Sequence, residues 1–317
     1  VTLRIGISAC LLGDKVRFDG QHKRDPWLNE ELAPYVEWVP VCPELEAGLG
    51  VPRESVRLVR SDKDDVRMVG TRSERDVTAL LRRVAVKRVT ELAKRELDGF
   101  VLKSDSPSCG MERVKLYESA RPSSTARRIG VGLFAAELAR QLPHLPREEE
   151  GRLHDARLRD NFVERVFAHG RLRALWASPW RMRDLVAFHT AEKLALLAHS
   201  TTGYRALGRL VATGARLARA ELRERYHAGF MEVLAKLATP GRHANVLEHM
   251  LGHLGALDSC DRRELSDLIG EHRRGLVPLV VPITLLRHHV RRLDVPYLAG
   301  QSYLAPHPRE LMLRNHV

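Results

Sequence analysis

Short apolar runs alternate with amphipathic stretches through the first half of the chain. Residues 3–9 and 38–41 are compact and apolar, as buried strands are, and 100–103 make a third such run. Residues 76–97 follow a helical period instead. Val86, Val89, Leu92, Ala93 and Leu97 share one face, Lys87, Arg88, Lys94 and Arg95 lie largely opposite, and Gly99 reads as a helix stop. Residues 131–142 form a second amphipathic helix. Strand, helix and strand in this order predict an α/β domain with a mainly parallel sheet.

Beyond residue 142 the pattern changes. Residues 143–151 hold Pro143, Pro146, three consecutive glutamates and Gly151, and read as a linker. Helical periodicity then runs through 153–176, 182–198, 204–238, 246–257, 262–274 and 283–293, with no strand alternation and no internal repeat. The expected organisation is an α/β domain at 1–142, a linker at 143–151 and an all-α domain at 152–317.

Composition excludes several classes. With 317 residues and 44% hydrophobic content the chain can bury a sizeable core in each domain. The longest apolar stretch, 276–286, is broken by Pro278 and Pro282 and is too short to span a bilayer, so no membrane role is expected. No signal peptide is visible, and four cysteines do not suggest a disulfide scaffold. A cytoplasmic protein is expected. The net charge of +12 is unevenly spread: residues 1–150 carry 26 Lys and Arg against 24 Asp and Glu, and residues 151–317 carry 26 against 16. The second half is Arg-rich, which suits phosphate and base recognition, although a GC-rich genome would also favour Arg over Lys.

Candidate chemistry lies in the cysteines. Cys10 ends the first apolar run, Cys42 follows the second and opens Cys42-Pro43-Glu44, and Cys109 follows the third within Ser106-Pro107-Ser108-Cys109-Gly110. In an open parallel sheet, groups just past the C-terminal strand ends converge on one crevice. Spacings of 32 and 67 residues match no zinc ribbon or ferredoxin run, and free cysteines are often buried small hydrophobes. Three in matching positions favour a shared site for a metal or an iron–sulfur cluster. A four-iron cluster held by three thiolates keeps one iron without a protein ligand. Glu44, two residues from Cys42, is a candidate for proton transfer or an ordinary solvated or helix-capping carboxylate, and Ser106 and Ser108 are candidates for hydrogen bonding or for turn formation. Asp19-Gly20 reads as a turn near the site. Cys260 lacks any such context.

These residues carry a resemblance. Ile7-Ser8-Ala9-Cys10-Leu11-Leu12-Gly13, Val16-Arg17-Phe18-Asp19-Gly20, Cys42-Pro43-Glu44 and Ser106-Pro107-Ser108-Cys109-Gly110 resemble the thiouracil desulfurase (TudS-like) family over about the first 140 residues. The resemblance implies a [4Fe-4S] cluster on Cys10, Cys42 and Cys109, with Glu44 and Ser106 catalytic. The second half resembles the YbgA-like helical domain, through Phe167–Arg173, Phe188–Lys193, His243–His249 and Gln301–Leu304 among other stretches; His169-Gly170 departs from an expected His-Ser. The fused arrangement is similar to desulfidases that convert 4-thiouridine to uridine, including in tRNA.

The expected function is therefore sulfide release from 4-thiouridine, most naturally in tRNA bound by the basic helical domain. The alternatives are free thiouracil or thionucleosides as substrates, or a non-catalytic iron–sulfur RNA-binding sensor. Substrate contacts are assigned to Ser108, Asp19, Arg127, Arg128, Arg171, Arg173 and Arg287. The basic stretch 121–128 is a candidate phosphate-holding loop or a solvated one. Trp176, Trp180, Tyr297 and Tyr303 are candidates for base stacking or for the core. The histidines of the second half are read as core or RNA-facing groups, since His243, His249 and His253, and the neighbours His288 and His289, make no clean ligand set.

Overall fold

The computed structural model describes residues 2–61, 65–121 and 124–317. The chain divides into two compact units, Thr2–His154 and Asp155–Val317.

The first unit is α/β. Strands β1 (Leu3–Ser8), β2 (Val36–Val41), β5 (Gly99–Leu102) and β8 (Arg147–Glu149) form an all-parallel sheet in the order β2-β1-β5-β8. Between β2 and β5 lie the short helix α1 (Pro43–Glu46), strands β3 (Val56–Arg60) and β4 (Val66–Gly70), and helix α2 (Thr78–Ala93). After β5 come β6 (Val114–Tyr117), β7 (Ala126–Gly130) and helix α3 (Leu133–Gln141). Strands β3, β4, β6 and β7 make a second, mixed sheet in the order β4-β3-β6-β7.

The apolar faces expected from the sequence build the core. Val89 and Leu92 of α2 pack with Val39, Val41, Phe100 and Leu102 of the parallel sheet and with Phe134 and Leu138 of α3. Gly6 is fixed by this packing, because a Cβ there would lie 2.2 Å from the Phe100 ring. Leu58, Met68, Leu81, Val114 and Leu116 form a smaller core under the second sheet.

The segment 143–151, expected as a linker, belongs to this unit. Arg147–Glu149 pair with Phe100–Leu102 as the fourth parallel strand, and their glutamates are tied inside: Glu148 to Arg152 at 2.6 Å, Glu150 to Lys103 at 2.5 Å. Glu149 accepts the Met111 N–H at 2.7 Å, so the acidic run is bonded inside the unit, and the units divide after His154. The basic stretch 121–128 is only partly a loop, because Ala126–Arg128 lie in edge strand β7; its residues 122–123 lie outside the described residues.

The second unit is all-α among the described residues. Its helices are α4 (Ala156–Ala177), α5 (Met182–Ala191), α6 (Lys193–His199), α7 (Thr201–Thr213), α8 (Arg219–Leu234), α9 (Pro240–Gly252), α10 (Ser259–Arg273), α11 (Val280–Arg292) and α12 (Pro296–Ala299). Two expected helices are each split in two. Residues 182–198 break at Glu192, whose buried carboxylate accepts from Arg171 and Ser302. Residues 204–238 break around Gly214, where a Cβ would lie 2.9 Å from Leu222 methyls. Asp155, Ser200, Thr239 and Asp258 cap helix starts by accepting backbone N–H groups, which satisfies otherwise orphaned donors.

This unit buries an ion pair. Glu164 and His199 lie 3.4 Å apart, both under 5% exposed. Burial would raise the Glu164 carboxyl, but the His199 and Arg314 charges outweigh it and hold it below its usual range. Burial would lower His199, but Glu164 raises it. Burial, reinforced by Arg314, pushes His243 down to about 3. Replacing Glu164 with Ala would strand buried positive charge and cost about 3–5 kcal/mol, which thermal unfolding will read. His243 binds its proton only after unfolding at mild acidity. Its contribution is therefore complete above pH ~6.5 and is lost as pH falls toward 3, by up to ~1.4 kcal/mol per pH unit. The melting temperature should fall on acidification, and less so in His243→Asn.

Candidate active site

Three neighbouring parallel strands end at the same edge of the first sheet, and each delivers a cysteine. After β1 a 3-10 turn, Ala9–Leu11, carries Cys10. After β2, Cys42 sits at the start of α1, with Pro43 in its first turn. After β5 the chain enters the turn that carries Cys109. That turn is fixed at both ends. The Ser106 hydroxyl accepts the N–H groups of Ser108 (3.2 Å) and Cys109 (3.0 Å), and Gly110 N–H donates to the Ser106 carbonyl at 2.8 Å. The Pro107 and Ser108 carbonyls accept N–H groups from the start of α3. Gly132 permits this approach, since a Cβ there would lie 2.4 Å from the Ser108 oxygen.

The thiols line one cavity of about 430 Å³, with Glu44, Arg53, Lys103, Ser106, Arg17 and Phe18 also in its wall. Cys10 and Cys109 are buried and Cys42 is half-buried. Burial pushes the Cys10 thiol up to about 11, against the lowering charges of Lys103 and Arg17. Burial likewise raises Cys42 and drives Cys109 well above the thiol range; a hydrogen bond from Ser8 opposes the latter. Such thiols stay protonated unless a cation compensates the thiolate. The donor set is soft and suits iron or zinc. Among the described residues no group of three His, Cys, Asp or Glu side chains can hold a single metal ion. What the structure shows is three thiols in the wall of one cavity, a soft donor set of the kind that iron–sulfur clusters take.

Glu44 is clamped from two sides. Ser108 Oγ donates to its Oε1 at 2.8 Å, and Arg53 donates to its Oε2 through Nη2 (2.5 Å) and Nε (3.0 Å). Arg53 is itself anchored by the carbonyls of Val16 and Gly50 and is nearly fully buried. Charge-assisted bonds of this kind fix both position and orientation. Lys103, also in the cavity wall, is held by Glu150 and Ser104.

The expected site residues divide into four groups. Cys10, Cys42, Cys109, Glu44 and Ser106 come together, with Ser108 directly behind Glu44. Asp19 stands apart: it is exposed and outside the cavity wall, and its hydrogen bond from Arg17 keeps its carboxyl below the usual range. Arg127 and Arg128 are exposed on β7, and Arg128 reaches the site only through Asp105, 2.8 Å away. Arg171, Arg173 and Arg287 lie in the helical unit. Arg171 is committed to Glu192 and the Pro306 carbonyl, so it is a structural clamp and not an open phosphate contact. Arg173 and Arg287 are half-buried. Trp176, Trp180 and Tyr303 are core residues. Sequence reasoning missed Arg53 and the roles of Ser8 and Glu150, because each partner is remote along the chain and no motif joins them.

Known families match both halves of the chain. Residues 5–150 match the family model described as 2-thiouracil desulfurase, and residues 193–308 match DUF1722, a protein family of unknown function. The chain is 32% identical over 161 residues to the uncharacterized protein YbgA of Escherichia coli K12, covering 50% of this chain and 95% of that protein. It is 32% identical over 108 residues to the uncharacterized protein YbbK of Bacillus subtilis 168, covering 33% and 71%. The chain belongs to the 2-thiouracil desulfurase family. It is thus a desulfurase-family enzyme with a DUF1722 region in its helical unit. A solved structure titled [4Fe-4S]-dependent thiouracil desulfidase TudS is similar at 31% identity and a TM-score of 0.40, covering 49% of this chain and 95% of that one.

Two outcomes follow. In the protein without metal, alkylation at pH 8 should label the exposed Cys260 well before Cys10 and Cys109. Arg53→Lys keeps the charge but loses the fork on Glu44. Desulfurase turnover should fall about tenfold or more, mainly in kcat, with the fold unchanged by circular dichroism.

Proposed function

We propose that the chain removes sulfur from 4-thiouridine, giving uridine and sulfide, with tRNA as substrate. The observation that carries this reading is the convergence of Cys10, Cys42, Cys109 and Glu44 on one cavity in a 2-thiouracil desulfurase-family chain. The three thiols would hold a [4Fe-4S] cluster, one iron of which has no protein ligand. When bound, such a cluster supplies a soft Lewis-acidic iron for a thiocarbonyl sulfur.

The chain's own groups supply the rest. Glu44, held by Arg53 and Ser108, accepts a proton from water as its oxygen bonds to the thiolated carbon. The Ser106 oxygen already accepts two N–H groups, so its own proton is left for a substrate heteroatom in the cavity. The C–S bond breaks, the water oxygen stays on carbon and sulfur leaves as hydrosulfide, with no net gain or loss of electrons. The excess of Lys and Arg in residues 151–317 supports a polyanionic substrate. A base in folded RNA has to leave its stack to enter a cavity of this kind.

A second reading has its own support. The family's description names a free base, and a cavity of about 430 Å³ accommodates a base or nucleoside by itself. Salt separates the two, since tRNA turnover should weaken steeply with ionic strength and nucleoside turnover should not.

The deciding experiment is anaerobic reconstitution with iron and sulfide, followed by the near-ultraviolet thiouridine absorbance of bulk bacterial tRNA. The band should disappear with the wild type and persist with Cys109→Ala. Glu44→Ala should retain the cluster spectrum and lose turnover by at least about 100-fold. An unchanged tRNA band with active turnover of 2-thiouracil overturns the tRNA reading in favour of the free substrate.

A further inference from the structure

The helical unit contains a second cavity, of about 280 Å³, between α11 and the chain from Leu304 to Asn315. Much of its wall is apolar, including Ile283, Leu304 and Leu313. Its charged lining has one sign: Arg287, Arg309 and Arg314 contribute, His307 lies beside them, and no Asp or Glu lines it. His307 is occupied by Asp160 at 3.1 Å, and Arg309 is largely exposed beside Glu310.

The other two arginines have unused donors. Arg287 is half-buried and forms no hydrogen bond or ion pair with any described residue. Arg314 is 7% exposed. Its Nη1 donates to the Tyr303 carbonyl at 2.6 Å, while its Nε and Nη2 are buried without a hydrogen-bond acceptor. Glu164 lies 3.9 Å from Nη2 and offsets the charge without satisfying the N–H. Buried donors normally find acceptors, and a half-buried guanidinium on an apolar wall is a fork for a planar or tetrahedral oxyanion.

We propose that this cavity binds a single ribonucleotide, with Arg287 on the phosphate and the Ile283–Leu304–Leu313 wall against the base. The choice of a nucleotide over other organic anions rests on the thiopyrimidine reading of the first unit. The volume lies near the lower end of ligand pockets, roughly 300–1,000 Å³, and suits one nucleotide at a time.

Calorimetric titration of the full chain tests this with four probes: uridine monophosphate, uridine, inorganic phosphate and a short oligouridylate. The monophosphate should bind, and the two fragments should each bind at least about tenfold more weakly. Arg287→Ala should weaken the monophosphate about tenfold or more and Arg287→Lys by less, with helix content unchanged. Equal affinity for the monophosphate and the oligomer places the source in RNA; a preference for the monophosphate makes it a free nucleotide. The proposal is overturned if the monophosphate does not bind at millimolar concentration, if phosphate alone binds as well, or if neither Arg287 variant changes the affinity. Loss of the thiouridine absorbance of tRNA is read separately. Turnover without nucleotide binding overturns this cavity alone, and binding without turnover overturns the 4-thiouridine reading alone.

Discussion

Everything at the site depends on β1 being paired in parallel with β2 on one side and β5 on the other. Parallel neighbours point their C-terminal ends the same way, and each must be reached by a crossover. Cys10, Cys42 and Cys109 are therefore brought to one edge although 32 and 67 residues separate them. The close fit that keeps this edge aligned includes Gly6 beneath the Phe100 ring. A shift in either strand pair would move a thiol off the cavity.

The same arrangement sets the chemistry. The strand ends are buried, so all three thiols are desolvated and disfavour the thiolate without a compensating cation. Next to them Glu44 is held on both oxygens by Arg53 and Ser108. A soft donor set thus stands beside one fixed carboxylate. The helical unit has its own two cores and uses its polar residues differently. His199 pairs with Glu164, His243 contacts Tyr303, His307 contacts Asp160 and Arg171 clamps Glu192. These three histidines and Arg171 are thus committed to internal bonding.

Several elements could be read from the sequence because their signals are local. Strands β1, β2 and β5 were marked by apolar runs, helices α2 and α3 by a 3.6-residue period, and the cysteines with Glu44 by their position at run ends. The second sheet was not read. Its strands are only four or five residues long and interrupted by charge, and β7 is exposed along most of its length, so it lacks an apolar pattern. Residues 143–151 read as a linker because buried, bonded glutamates have the same composition as a solvated acidic run.

The sequence by itself determined the two-part organisation, the strands of the parallel sheet that bear on the site and the residue types available for catalysis, since hydrophobic period and motif chemistry are written in neighbouring residues. Only the tertiary structure decided which charges face one another. Arg53 reaches Glu44 across nine residues, Lys103 reaches Glu150 across 47 and Ser108 reaches Glu44 across 64. It also decided that Asp19 stays outside the cavity, that Arg171 is already bonded and that Arg287 is not. Such pairings are set by how strands and helices stack, and a linear pattern carries no record of that distance.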